Sequence, residues 1–213
     1  MGVRDRFAPW RTQMRATPED IYQPIYDRAN YAAAGATSLS FFTNALGASV
    51  TLIRAGATGT VTKTSRDTYL QQPGVLPSKA FNLLGFSVCY VPLQQAVAQA
   101  NTQSILDDQM RLAYGGYLIF NLLDKPYLYL PLCMIPGVGV FRGAMAGNFT
   151  AGNTGASGGG PGNGVDAFWL GVPLTIDPYQ QFSATLNWDG TVSLVQTFDI
   201  YLIMHGYVRR PAQ

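Results

Sequence analysis

Residues able to do chemistry are scarce in this chain. One histidine, His205, and one glutamate, Glu19, stand among 213 residues, with two cysteines, Cys89 and Cys133. A zinc centre, a cupin-type metal site or a nucleophile with its base draws on several such groups, and the parts are missing. The aspartate pair Asp107-Asp108 lies in a helix-prone stretch, where adjacent residues do not face each other, so a solvated helix face is expected. His205 falls near the end of an apolar strand and reads as a packed or hydrogen-bonded residue. The cysteines sit in apolar runs and read as buried free thiols, with no sign of an oxidising compartment. No catalytic residue, metal, cofactor or small-molecule substrate is expected, and the chain does not read as an enzyme.

The segment "NFTAGNTGASGGGPGNGVDAFW" is the one that looks like a ligand loop: eight glycines lie from Gly147 to Gly164, with no charge before Asp166. A phosphate loop of the Gly-Lys-Ser/Thr type needs a lysine, and none follows Lys125. Gly162-Asn163-Gly164 matches a dinucleotide fingerprint loosely, but "AFWLGVPL" after it reads as a strand where a helix is required. Only about fifty residues remain beyond it, a marginal size for a further domain. A long surface loop at about 147–165 is the expectation. Asn148-Phe149-Thr150 has the form of a glycosylation acceptor, and Trp10, Trp169 and Trp188 could stack on sugars, although Trp188 falls on the apolar side of its strand.

The elements that would carry these residues are mostly strands. Charged residues make up 12% of the chain, about half the usual share, with 23 glycines and 13 prolines. The start has charges where a signal peptide needs an apolar run, and the apolar region 117–141 is broken by Asp124, Lys125 and prolines, so a soluble chain is expected. "TPEDIY" (17–22) has the capping pattern of a short helix. The β-prone runs 37–44, 49–55 and 58–65 follow at even spacing. Residues 81–91 alternate, with Leu84, Phe86, Val88 and Tyr90 on one face and Gly85, Ser87 and Cys89 on the other. Residues 93–113 form a helical insertion with a break near Asn101. "YLIFNLL" and "PYLYLPL" flank Asp124-Lys125 as a hairpin apolar on both faces. "FSATLNW" (182–188) alternates cleanly and "FDIYLIMHGYV" (198–208) is the last long strand. With about eight to ten strands and no βαβ alternation, the class is all-β, a sandwich or jelly roll. One domain is expected, a jelly roll over 37–213 behind an arm with a short helix over 1–36.

The arm is basic. Residues 1–15 hold Arg4, Arg6, Arg11 and Arg15 against Asp5, while the whole chain carries only +2. Four arginines can neutralise a few phosphates or meet an acidic surface, and Trp10 could anchor the segment between them.

Three places, "GVLPSKAFNLLGFSVCYVP" (74–92), "GGYLIFNLLDKPYLYLPLCMIPG" (115–137) and "LTIDPYQQFSATLNWDG" followed by "FDIYLIMHGYVRRPAQ" with its terminal Gly206 and Arg209, resemble the jelly-roll major capsid proteins of tailless icosahedral bacterial viruses. The resemblance covers roughly 37–213 and implies a single jelly-roll sandwich per chain. It implies a structural virion protein, assembled in the host cytoplasm, that self-assembles into an icosahedral shell around the viral genome. Its partners would be copies of itself, other virion proteins, and packaged nucleic acid or an inner membrane or protein layer reached by the arm. A lectin-like or receptor-binding module on the same sandwich is the alternative, since fold does not fix function.

Overall fold

The computed structural model describes residues 20–76, 80–93, 99–123, 125–135, 137–138 and 167–209, with the side chains of 99–106, 137–138 and 209 excepted. In chain order the strands are β1 (Asp20–Tyr22), β2 (Ile25–Tyr31), β3 (Ser38–Phe41), β4 (Ser49–Arg54), β5 (Ala57–Thr62) and β6 (Ala80–Pro92). Helix α1 (Gln99–Gly115) follows, then β7 (Gly116–Leu122), β8 (Lys125–Pro131), β9 (Gly137–Val138), β10 (Phe168–Ile176), β11 (Phe182–Trp188) and β12 (Phe198–Arg209).

Two sheets form a sandwich. In the first, β12 and β6 are central; β1 and β2 lie end to end along the free side of β12, and β10 and β9 along the free side of β6. The second has the order β3-β11-β7-β8. The topology is that of one long hairpin rolled up. Outermost strands of the chain pair with each other (β2 with β12, β3 with β11), as do the inner ones (β6 with β10, β7 with β8), all antiparallel. That nesting is a jelly roll.

Alternation explains the layers. In β11, Phe182, Ala184, Leu186 and Trp188 are buried, with Ser183, Thr185 and Asn187 between them; β7 repeats the pattern with Leu118, Phe120 and Leu122. Facing residues from both sheets meet in one core, where Phe86 lies against Phe120 and Phe42 against Phe182, each pair with ring centroids 5.4 Å apart. Each such ring buried is worth about 1.5–3 kcal/mol. Trp188 is core, as its strand face predicts, and its indole N–H donates to the Leu112 carbonyl at 3.0 Å, tying α1 to the second sheet.

Several expectations are corrected. Asp20–Tyr22, inside the stretch expected as a helix start, is a strand paired to Tyr207–Arg209, and β2 is a full sheet member, so the sandwich begins well before residue 37. The ladder offered by β12 outweighs the local capping signal. Helix α1 runs through Asn101 without a break. Leu84 does not share a face with Phe86: β6 and β12 slip register between His205 and Gly206, and Phe81, Leu83, Phe86, Val88 and Tyr90 reach the core instead. Gly206 makes the slip possible, because a Cβ there would collide with the Asn82 carbonyl and meet the Phe81 ring at 2.6 Å. Strand β8 is apolar on both faces but covered on only one, with Tyr127 54% and Tyr129 63% exposed. Both cysteines are free, yet Cys133 is exposed and Cys89 half-buried. The Gly-rich segment 147–165 lies outside the described residues. Among those residues no helix is long and apolar enough to cross a membrane.

Candidate interaction surface

Beyond the core, the sheets present two outer faces, and they differ. On the second sheet, alternation puts Ser38 and Ser40 of β3, Ser183, Thr185 and Asn187 of β11, Tyr117, Ile119 and Asn121 of β7, and Tyr127, Tyr129 and Pro131 of β8 on the side away from the core. The ladders align them in rows: Ser40 beside Thr185, Ile119 and Tyr129 in one, Ser38 beside Asn187, Tyr117 and Pro131 in the next. None is charged. Short polar bonds run along the face, Asn121 Nδ2 to Ser183 Oγ at 3.4 Å and Asn187 Nδ2 to the Thr185 carbonyl at 3.3 Å.

The outer face of the first sheet is covered in part by the β4–β5 hairpin and the 64–69 turn, through buried charges. Arg28 on β2 donates its Nε to Asp199 Oδ2 at 2.8 Å, with Nη2 in ion contact with the same oxygen at 2.5 Å, its Nη1 to Asp67 at 3.3 Å and to the Tyr201 hydroxyl at 3.1 Å, and its Nη2 to the Ile53 carbonyl at 3.0 Å. Asp199 accepts in addition from Ile53 N–H at 2.7 Å and Asn30 Nδ2 at 2.7 Å. Asp67 is bonded by Arg54 and by both the amide and hydroxyl of Thr64. Burial pushes the Asp67 carboxyl up, but Arg54 and Thr64 outweigh it and hold it below the usual carboxylate range. On the inner side of β2, Asp27 takes Lys63 Nζ at 2.5 Å and the Phe42 amide at 2.6 Å; there burial prevails and raises its pKa. Three acids and three cations thus balance across the two faces of β2. A cavity of about 310 Å³ lies between β2, β3 and β4, bordered by Asn30, Ser40, Thr43, Asn44 and Thr51; the cations that reach it, Arg28 and Lys63, are already paired.

His205 is the centre of a second polar group. Its Nδ1 is 2.7 Å from the Tyr22 hydroxyl and its Nε2 2.7 Å from Ser87 Oγ, and the Trp169 ring lies 5.8 Å away. A serine bonded to an imidazole is the beginning of a nucleophile and base, but Ser87 is completely buried and no substrate atom can reach it. Each ring nitrogen has a hydroxyl that can donate or accept, so the neutral ring is fully satisfied. Burial lowers the His205 pKa to about 4. The expectation of a hydrogen-bonded structural histidine is met.

Asp107 and Asp108 part company. Asp107 is exposed, whereas Asp108 is fully buried and its Oδ2 accepts the amides of Val195 at 2.8 Å and Gln196 at 3.2 Å. It pins the β11–β12 connection to α1, which corrects the solvated-face expectation; burial raises its pKa despite those bonds. Arg4, Arg6, Trp10, Arg11 and Arg15 lie outside the described residues. Among the described residues, no group of three or more His, Cys, Asp or Glu side chains could hold a metal ion.

Sequence reading missed the Arg28, Asp199, Asp67, Arg54 and Asp27–Lys63 groups. The available signal was a charged residue in an otherwise apolar strand, Asp199 in "FDIYLIM", which a buried partner must compensate. Comparison of the chain with protein-family models, curated proteins and solved structures finds no match.

Proposed function

We propose that this chain is a structural virion protein, a major capsid protein whose copies assemble into an icosahedral shell around a viral genome. The observation that carries the reading is the uncharged outer face of the second sheet, where Tyr117, Ile119, Tyr127 and Tyr129 stand among Ser, Thr and Asn. Aromatic enrichment with depletion of charge marks the centre of protein interfaces, and a monomer has little reason to leave such a face open. The jelly-roll topology and the resemblance of three segments to capsid proteins support the same reading, in which no residue has a catalytic role. The native mass of the purified full chain tests it. Megadalton particles visible by electron microscopy are the expected result; a monomer at high concentration overturns it.

In this reading Arg4, Arg6, Arg11 and Arg15 face the particle interior and Trp10 anchors them. Replacing the four arginines by serine is expected to leave the sandwich folded and to reduce packaged nucleic acid, with the deficit against wild type largest at low salt and shrinking as salt screens the wild-type arm. Unchanged nucleic acid content at low and high salt would remove the arm from the reading.

A second reading is favoured by one observation. Tyr127 and Tyr129 are exposed beside Asn121 and Ile119, and exposed aromatics next to amides are what a carbohydrate-binding face uses. Saturable glycan binding by a monomeric or trimeric chain, abolished in Tyr129→Ala, selects that lectin-like module over the shell.

A further inference from the structure

Sheet edges are the places where one chain can continue another's ladder, and proteins that stay single protect them with prolines, charges, bulges or shortness. The two large sheets here do so. Strand β8 has Pro126, Pro131 and a register shift; β10 has Pro173 and a register shift; the β1–β2 side is interrupted at Pro24; β3 has four residues.

Strand β5 is different. Its sequence, "ATGTVT", has no proline and no charge; it pairs with β4 over six positions without a register shift, and among the described residues nothing pairs with its other side. Five of its six residues are exposed. Its one interior glycine, Gly59, faces open space. The hairpin is nevertheless held rigidly, because Ile53 on β4 bonds Asp199 and Arg28 through both its amide and its carbonyl.

The turn determines which backbone groups are free. Ala55 and Gly56 both have positive φ, 48° and 78°, the form of a two-residue hairpin turn that makes Arg54 and Ala57 a hydrogen-bonded pair. Bonded and non-bonded pairs alternate from there, so Ala57, Gly59 and Val61 bond toward β4. The N–H and C=O groups of Thr58, Thr60 and Thr62 therefore point away from the hairpin.

We infer that β5 pairs antiparallel with β5 of a second copy across a two-fold axis at Thr60, making a continuous β4-β5-β5-β4 sheet. Only registers that match outward-facing residues close the ladder, and the centred one sets Thr60 against its own counterpart and Thr58 against Thr62. Threonine opposite threonine is a favourable cross-strand pair, and a two-fold axis would place any charge on this strand near its own copy, which the uncharged sequence avoids. The inference rests on the proposed function in one respect, that copies of this chain bind one another.

Charge exchange at Thr60 tests it on the full chain. Thr60 is exposed and its N–H is not used by β4, so Thr60→Lys and Thr60→Glu are expected to keep the wild-type melting midpoint. Each alone sets like charges face to face and is expected to weaken association about tenfold in sedimentation velocity; an equimolar mixture restores it. Thr60→Pro, which deletes the outward N–H, is expected to weaken association with no rescue by either variant. Lys and Glu variants that associate like wild type overturn the β5 contact, as does a mixture that restores nothing. If those variants still form particles, the contact alone fails; if the wild-type chain never self-associates, the proposed function fails with it.

Discussion

Asp199→Ala is expected to cost about 3–5 kcal/mol of folding stability, read as a lowered urea midpoint at pH 7. The reason is what the substitution leaves behind. Asp199, on a strand at the centre of the first sheet, takes a hydrogen bond from Arg28 Nε and an ion contact from its Nη2, one bond from the Ile53 amide and one from Asn30. Without it, Arg28 stays buried with only Asp67 at 3.3 Å for a counter-charge, and the Ile53 amide loses its acceptor. Attraction between the ions is not the source of the loss, since two buried charges give up comparable hydration to meet. The double replacement Arg28→Met with Asp199→Leu is accordingly expected to recover much of the stability, because it removes both charges from the interior. The single substitution should also release the β4–β5 hairpin, with faster amide hydrogen exchange over 49–62 than over β7 and β11. A single-variant loss below about 1 kcal/mol would mean that the ion group does not hold the hairpin.

The second large effect is a dependence of stability on pH that belongs to one residue. Burial lowers the His205 pKa from 6.5 to about 4, so between those values an unfolded chain binds a proton that the folded chain refuses. Stability therefore falls as pH drops through about 6.5 and levels off below about 4, and the contribution lost is on the order of 3 kcal/mol. Tyr22, Ser87 and Trp169 lie against the ring, and none supplies a negative charge to stabilise the imidazolium. Asp27 and Asp108, whose pKa values burial raises, titrate with the opposite sign. The measurement is for that reason a difference: urea midpoints of wild type and His205→Gln from pH 7 to pH 4. Glutamine can both donate and accept but does not titrate, so the wild type is expected to lose stability relative to it as the pH falls. Parallel curves would show that the ring is protonated in the folded protein as easily as in the unfolded one.

Local pattern accounts for the parts of this protein that were legible in its residues. The alternation in "FSATLNW" and "YLIFNLL" and the helix formers within 93–113 lead to β11, β7 and α1, the helix being described from Gln99, because periodicity is decided within a few residues. The scarcity of histidine, glutamate and cysteine is likewise a property of composition alone. Asp20–Tyr22 shows where local reasoning stops: a capping pattern yields to a ladder with residues 207–209, and no neighbour in sequence announces that partner. Asp108 was misread for the same reason, since its buried face is set by the amides of Val195 and Gln196.

The charged centre is decided entirely by the tertiary structure. Arg28 and Asp199 are 171 residues apart, Ser87 and His205 118, and they meet because the rolled hairpin lays β2 along one side of the last strand, β12, and β6 along the other. A charge in an apolar strand says that a partner must exist, through the cost of burying it alone; only the nesting of the strands says which one. The free edge of β5 has the same origin. Its residues are those of an ordinary strand, and what distinguishes it is that the fold pairs one of its sides and leaves the other open.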